Sequence, residues 1–419
     1  MAEARILVLG CGFPQLGLLQ FCKAEGLFTV GADMNPRAVG RALCDAFVPA
    51  SIADVDALVV AAREFRVDGV VSAGSELAVL PTCLVAKRLG LPFYGSESVV
   101  RGCHHKDEMR LRYNAGGAPS PRFERVSSVS EGHGAAARIG LPVVIKPCRG
   151  WGQRGVRVVK TREELDSALE AAFAAVGKSE DARCLVEEFI DGREFSVDAY
   201  TRDGRTQVLA VTERIITQYP EPPGITYAEV YPPEVSSLEQ LQLEQAAIAG
   251  VAALGIERGP SYTQVRLDQR GAFLVETAYR LGGGLDPEVT FLASGVSLYR
   301  RILGVALTHR DWESSGPEAP RHAGATGRFL VAKPGIVHEI SGLAAARGVP
   351  GVLDAQVYVG VSDRVHPLTD GSKRAGHVLA VGSGRADAEA RAFRAMEQIR
   401  IVTSAASAAG VSESAGSAT

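Results

Sequence analysis

A short apolar run that ends in a lysine and passes straight into glycines most constrains this chain. It reads Val144-Ile145-Lys146-Pro147, then Arg149-Gly150-Trp151-Gly152-Gln153-Arg154-Gly155. The pattern predicts a buried strand carrying one cation, then a loop whose backbone N–H groups can turn inward. Glycines permit that because no side chain blocks an approaching anion. Further on, Leu185-Val186-Glu187-Glu188-Phe189-Ile190 sets two adjacent carboxylates on an apolar run, followed by Asp191-Gly192 and Glu194. Later still come Gln264-Val265-Arg266-Leu267, the turn Asp268-Gln269-Arg270-Gly271, and Val275-Glu276-Thr277-Ala278-Tyr279-Arg280-Leu281-Gly282-Gly283-Gly284. Each segment alone is weak. In this order they can supply what a nucleoside triphosphate needs: a cation, backbone donors, an edge for the base and hard oxygen ligands.

Bulk properties exclude several alternatives. At 419 residues the chain is long for one core, so several domains are expected. A net charge of −3 gives no basic footprint, so neither nucleic acid nor an anionic membrane is an expected partner. The N-terminus opens directly into a strand, with an apolar run too short for a signal peptide. No stretch is apolar for long enough to span a bilayer. Seven cysteines without a C-x-x-C pair point to free thiols in a reducing, cytoplasmic setting and away from a zinc site. No G-x-x-x-x-G-K-[ST] pattern is present, which rules out a P-loop.

Residues 5–100 alternate apolar runs with helical periodicity, as βαβ units with a parallel sheet do. The runs Ile6–Gly10, Phe28–Asp33 and Gly69–Ala73 read as strands, and 15–25 as a helix. Gly10-Cys11-Gly12 could begin a dinucleotide fingerprint, but Gln15 stands where the third glycine belongs and Pro14 interrupts the helix start. An NAD-dependent oxidoreductase would rest on these two glycines alone and is rejected. Residues 306–321 read as a linker, 322–403 as a small β-rich segment, and 404–419 as an Ala/Ser/Gly-rich disordered tail.

The motif series resembles the ATP-grasp superfamily of carboxylate–amine ligases, and is most similar to the L-amino acid ligases that make dipeptides. The likeness runs from about residue 5 to residue 305. Lys333-Pro334-Gly335-Ile336-Val337 and Arg374-Ala375-Gly376-His377-Val378 extend it to those ligases' C-terminal domain. The resemblance implies a mixed α/β and α+β fold. Residues 1–100 would form a Rossmann-like domain and 101–305 a two-lobe ATP-grasp domain, its mobile lid at about 139–200. Residues 306–403 would form a C-terminal α+β domain.

It also implies roles. Only eight lysines stand against 37 arginines, and Lys106 and Lys146 fall where the family places its nucleotide lysines. A compact ammonium fits between phosphate oxygens where a forked guanidinium is too broad. Gly150, Gly152, Gln153 and Gly155 would cover the phosphates. Glu187, Glu188 and Ile190 would hold the adenine edge, and Glu194 the ribose hydroxyls. Gln264 and Glu276, on strands joined by a turn, would hold magnesium, with manganese as a substitute. The family's third metal position is Ala278 here, which ligates nothing; Glu288 is one candidate replacement. Arg280, with Lys146, would be catalytic, its fork on the transferred phosphate or the reacting carboxylate.

The reading is an ATP-dependent ligase that joins a small-molecule carboxylate, an amino acid, to an amine through an acylphosphate. Homodimerisation is an expectation by analogy. Two alternatives stay open. One is an ATP-grasp carboxylase or purine-pathway-type ligase; the other is a nucleotide-binding regulatory protein with a degenerate metal site, favoured by Ala278.

Overall fold

The computed structural model describes residues 4–149, 155–176, 182–217, 224–309, 312 and 321–404. Its first unit is a parallel four-stranded sheet built from β1 (Arg5–Leu9), β2 (Phe28–Ala32), β3 (Ala46–Val48) and β4 (Gly69–Val71), in the order β3-β2-β1-β4. Central β1 is covered on both faces, which explains its unbroken apolar run. Ile6 and Val8 pack towards α1 (Leu16–Ala24), while Leu7 and Leu9 pack towards α2 (Val55–Glu64) and α3 (Glu76–Leu89). The fingerprint position is closed: the Gln15 side chain lies against Gly10 and donates to the carbonyl of Ala73 at 2.8 Å.

Two helices, α4 (Glu97–His104) and α5 (Lys106–Ala115), lead into a second sheet of β5 (Phe123–Val126), β6 (Val143–Pro147), β7 (Arg157–Val159) and β8 (Cys184–Glu188). Its order is β5-β8-β6-β7, entirely antiparallel. Val143 and Ile145 of β6 are buried against α6 (Val129–Ile139) and α7 (Leu165–Val176). By the two-residue period of a strand, Val144 and Lys146 therefore face the other way, towards the rest of the protein.

The third sheet has eight strands. They are β9 (Arg193–Arg202), β10 (Arg205–Thr217), β11 (Ile225–Tyr231), β12 (Gly259–Asp268), β13 (Gly271–Ala278), β14 (Gly324–Leu330), β16 (Val352–Val357) and β18 (Gly376–Gly382), in the order β13-β12-β9-β10-β11-β14-β18-β16. The C-terminal segment is β-rich as expected, and its strands β14, β18 and β16 continue the main sheet through β11. Only β15 (Gly335–Ser341), β17 (Arg364–Val365) and β19 (Arg400–Ser404) form a small sheet of their own. Helices α8 (Ser237–Ala253), α9 (Asp286–Ser294) and α10 (Leu298–Ala306) pack on these layers, and α11 (Leu343–Arg347) and α12 (Arg385–Gln398) on the C-terminal strands. Ser236 and Glu239 form a capping box at the start of α8. Residues 310–311 and 313–320 of the expected linker, and 405–419 of the expected tail, lie outside the described residues.

The first unit meets the third at a glycine contact. A Cβ on Gly283 would sit 2.5 Å from the carbonyl oxygen of Gly74. Backbone on one side leaves nothing flexible to yield. Gly283→Ala is therefore expected to destabilise the protein by about 1–3 kcal/mol, read from denaturant unfolding; an unchanged midpoint would show that the contact is not tight.

Candidate active site

A cleft of about 270 Å³ opens between the second and third sheets. Val144, Val156, Val158, Phe189, Ile190 and Ile216 give it an apolar wall. Lys106, Arg110, Lys146, Arg214, Arg266 and Arg280 bring positive charge, facing Glu76, Glu187, Glu188, Glu194 and Glu276. An apolar slot bordered by convergent charges suits a flat heterocycle carrying an anionic tail.

At its centre lies a buried three-residue clamp. Lys146 Nζ donates to Glu187 Oε2 at 2.7 Å, while Arg110 Nε and Nη2 reach Oε1 and Oε2 at 2.8 and 3.1 Å. Their exposures are 7%, 3% and 1% for Lys146, Glu187 and Arg110, so the clamp is almost desolvated. Burial would raise the Glu187 carboxyl, but Arg110 and Lys146 overcome it and hold it at about 2. Burial brings the Lys146 ammonium down to about 8, against Glu187 and helped by Arg110. The structure thus gives Glu187 other partners than an adenine amino group: both oxygens are engaged by cations. Arg110 Nη2 also donates to the carbonyl of Val275 at 2.9 Å, beside a register shift between β12 and β13. One side chain thereby ties α5, β8 and β13 together.

The hinge residues are likewise tied. Arg266 donates to the carbonyl of Ile190 at 2.9 Å and to Glu194 Oε2 at 3.1 Å. Arg214 reaches Glu194 Oε1 at 3.1 Å. Glu194 lines the cleft with two arginines on it, so a ribose hydroxyl would have to share the carboxylate with them. Glu188 turns to the rim, held by Arg122 at 3.1 Å and Arg270 at 2.5 Å; its N–H donates to the carbonyl of Arg122. Lys106 opens α5 and lines the cleft. Gly155, at φ +70°, packs against α7. Gly150, Gly152 and Gln153 lie outside the described residues.

Gln264 and Glu276 sit directly opposite each other across β12 and β13. Both line the cleft, half-buried, and neither side chain hydrogen-bonds another described residue. One carboxylate and one amide oxygen, free and adjacent, fit a hard cation that keeps water or phosphate as its remaining ligands. Among the described residues no group of three or more His, Cys, Asp or Glu is arranged to hold a metal by itself. Ala278 is buried at the expected third position. Glu288 does not replace it: its carboxylate accepts from the Tyr299 hydroxyl at 2.7 Å, away from the cleft.

Arg280 closes the far end. Its Nε donates to Glu76 Oε2 at 2.7 Å, and Glu76 Oε1 meets His104 Nδ1 at 3.0 Å. Against burial, Arg280 and His104 hold the Glu76 carboxyl at about 2. The Tyr262 ring lies beneath the guanidinium, 5.7 Å away.

Comparison with known proteins fits this geometry. The ATP-grasp domain family matches residues 139–288, and the L-amino acid ligase C-terminal domain 2 family matches 328–404. Residues 139–288 thus carry an ATP-grasp domain. It is 29% identical over 342 residues to the uncharacterized protein y4rH of Sinorhizobium fredii, covering 80% of this chain and 68% of that protein. It is 27% identical over 248 residues to the alanine–anticapsin ligase of Bacillus amyloliquefaciens, covering 55% of this chain and 52% of that ligase. The chain thus spans about half the length of that ligase. In fold it matches the L-amino acid ligase of Bacillus licheniformis with a TM-score of 0.81, at 19% identity, over 96% of this chain and 100% of that one. The latter two proteins are ligases by name, the class to which the sequence motifs pointed.

Arg110, Arg214, Arg266 and His104 were not singled out in the ATP-grasp sequence. Arg110 stands four residues after Lys106 and so shares its helix face, a spacing that could have marked it. The strand arginines carry no such signal.

The clamp makes two predictions. Lys146 loses its proton as pH rises through about 8. Nucleotide affinity of the free protein will therefore weaken as pH rises through 8, by up to roughly tenfold per unit. Lys146→Arg, whose guanidinium stays charged, removes that alkaline limb; an identical limb in both proteins excludes Lys146 as its origin. Arg110→Met takes away half of a buried ion-pair network and is expected to cost about 3–5 kcal/mol of stability, measured by denaturant unfolding.

Proposed function

We propose that the protein is an ATP-dependent ligase that condenses the carboxylate of an amino acid with an amine, releasing ADP and phosphate. The observation that carries this reading is the convergence, in one cleft, of Lys106, Lys146 and Arg280 with the free Gln264–Glu276 pair. In such a reaction a carboxylate oxygen attacks the γ-phosphorus of ATP, an acylphosphate forms, and an amine displaces phosphate from the carbonyl carbon. Little covalent work falls to side chains, so catalysis rests on positioning and charge.

The residues divide that work by place. The apolar wall of Val144, Phe189 and Ile216 would flank adenine. Lys106 and Lys146 would offset triphosphate charge, Lys146 held in place by Glu187. Gln264 and Glu276 would hold a magnesium ion, which when bound neutralises charge on the transferred phosphate. Arg280, aimed by Glu76 and Tyr262, would lie on the carboxylate and then on the oxyanion left by amine attack.

The test is phosphate release from Mg-ATP over amino acids singly and in pairs, with mass spectrometry of products. ADP, phosphate and a condensed product from particular pairs support the ligase. ATP binding without turnover on any pair supports instead the regulatory reading that Ala278 favours. Lys146→Ala and Glu276→Ala are expected to abolish turnover in folded protein, and wild-type rates in either would sink the site assignment. Gln264→Glu adds a charged ligand, so half-maximal activity should come at lower magnesium; an unchanged titration removes Gln264 from the metal shell.

A further inference from the structure

Proton transfer is the part of the proposed reaction that the motif residues leave unprovided. As an amine attacks the acylphosphate carbonyl, its nitrogen gains a bond and must give up a proton. Most ionisable groups of the cleft are engaged elsewhere. Glu187, Glu188 and Glu194 each answer to two cations, and Lys146 is committed to Glu187. Glu276 stands with Gln264, facing a cation. Among the described residues that line the cleft, His104 is the only imidazole.

The fold aims that imidazole. His104 ends α4 and Glu76 opens α3, two helices packed on each other. Glu76 Oε1 lies 3.0 Å from His104 Nδ1, and its Oε2 accepts from Arg280 Nε at 2.7 Å. Held ionised at about 2 against burial by Arg280 and His104, the Glu76 carboxylate can only accept. Nδ1 therefore carries the hydrogen, and in the neutral ring Nε2 keeps its lone pair. Nε2 has no partner among the described residues. With its side chain 21% exposed, His104 sits at the cleft surface rather than inside a core. One carboxylate thus sets a base and an arginine side by side.

We propose that His104 is the catalytic base for the attacking amine, its tautomer fixed by Glu76, which also joins it to Arg280. The amine nitrogen bonds to the carbonyl carbon, and an N–H proton passes to Nε2. The carbon–oxygen bond to phosphate then breaks, its electron pair leaving on phosphate, and the imidazolium returns its proton to solvent. Arg280 faces the oxyanion of the same intermediate, so the two charges that develop in this step meet the two partners of Glu76. The assignment rests on the ligase reading and adds to it a residue that serves the second half of the reaction alone.

The test separates the two halves by nucleophile. Hydroxylamine is uncharged at neutral pH and attacks acyl phosphates without help from a base, so hydroxamate formation from ATP and an amino acid reports the acylphosphate. Amide formation from amino-acid pairs, read by mass spectrometry, reports the amine step. His104→Asn keeps an N–H for Glu76 but offers no base. It should leave hydroxamate formation within a few-fold of wild type and lower amide formation roughly 100-fold or more. Imidazole added to His104→Ala should restore part of the lost amide formation, and this is the arm to use where His104→Asn fails to fold. Wild-type amide formation in either variant overturns the proposal. Hydroxamate and amide falling together, with no rescue by imidazole, make His104 a positioning residue for Glu76 and overturn it too. Neither hydroxamate nor amide from the wild type on any amino acid overturns the ligase reading itself, and this role with it.

Discussion

The buried carboxylate of Glu187 is the interaction on which the rest of the site depends. It sits in an interior strand of the second sheet and draws Lys146 from the neighbouring strand and Arg110 from α5. Removing charges from water is expensive, and a buried ion pair is stable only when its geometry and remaining hydrogen bonds are good. Here three charges share four polar contacts, counting the bond from Arg110 to the Val275 carbonyl and one short Lys146 contact. Arg110 Nη1 alone in the clamp is left without a partner. The result is a lysine fixed at the edge of the cleft, with its charge already desolvated, before any anion arrives.

That arrangement explains how the two sheets cooperate. Val275 lies at the register shift between β12 and β13, next to the Gln264–Glu276 pair. Arg110 therefore connects the strand of Glu187, which holds Lys146, to the strand that presents Glu276. Register irregularities of this kind re-aim side chains, and they recur near active sites. Farther along β13, Arg280 is aimed by Glu76, which comes from the first unit of the fold. The glycines at 74 and 283 permit the backbone approach that makes this possible. Three units of structure thus each contribute a charged group to one cleft.

Much of this was legible in the sequence. The apolar run ending in Lys146 predicts a buried strand carrying one cation, and Lys146 lies buried on β6. The turn between Leu267 and Ala272 brings Gln264 and Glu276 into register, because a hairpin fixes the pairing of the strands it joins. What was not legible depends on long-range contact. Nothing near Glu187 announces that Arg110, far back in the chain, takes its oxygens, nor that Arg266 covers Ile190. The C-terminal strands read correctly as β-rich, but their union with the main sheet through β11 and β14 is a pairing that local pattern does not encode. Glu288, an acid that could have replaced the ligand missing at Ala278, failed because Tyr299 of α10 claims it.

The central claim is that the charges gathered in this cleft activate a carboxylate by phosphoryl transfer. An amino-acid substrate labelled with ¹⁸O in its carboxylate tests it most directly, with mass analysis of the released phosphate. Attack of the carboxylate on the γ-phosphorus carries one labelled oxygen into phosphate when the amine displaces it, so labelled phosphate is the predicted result. Phosphate released without label, alongside a condensed product, would mean that the carboxylate is activated by another route and would contradict the account.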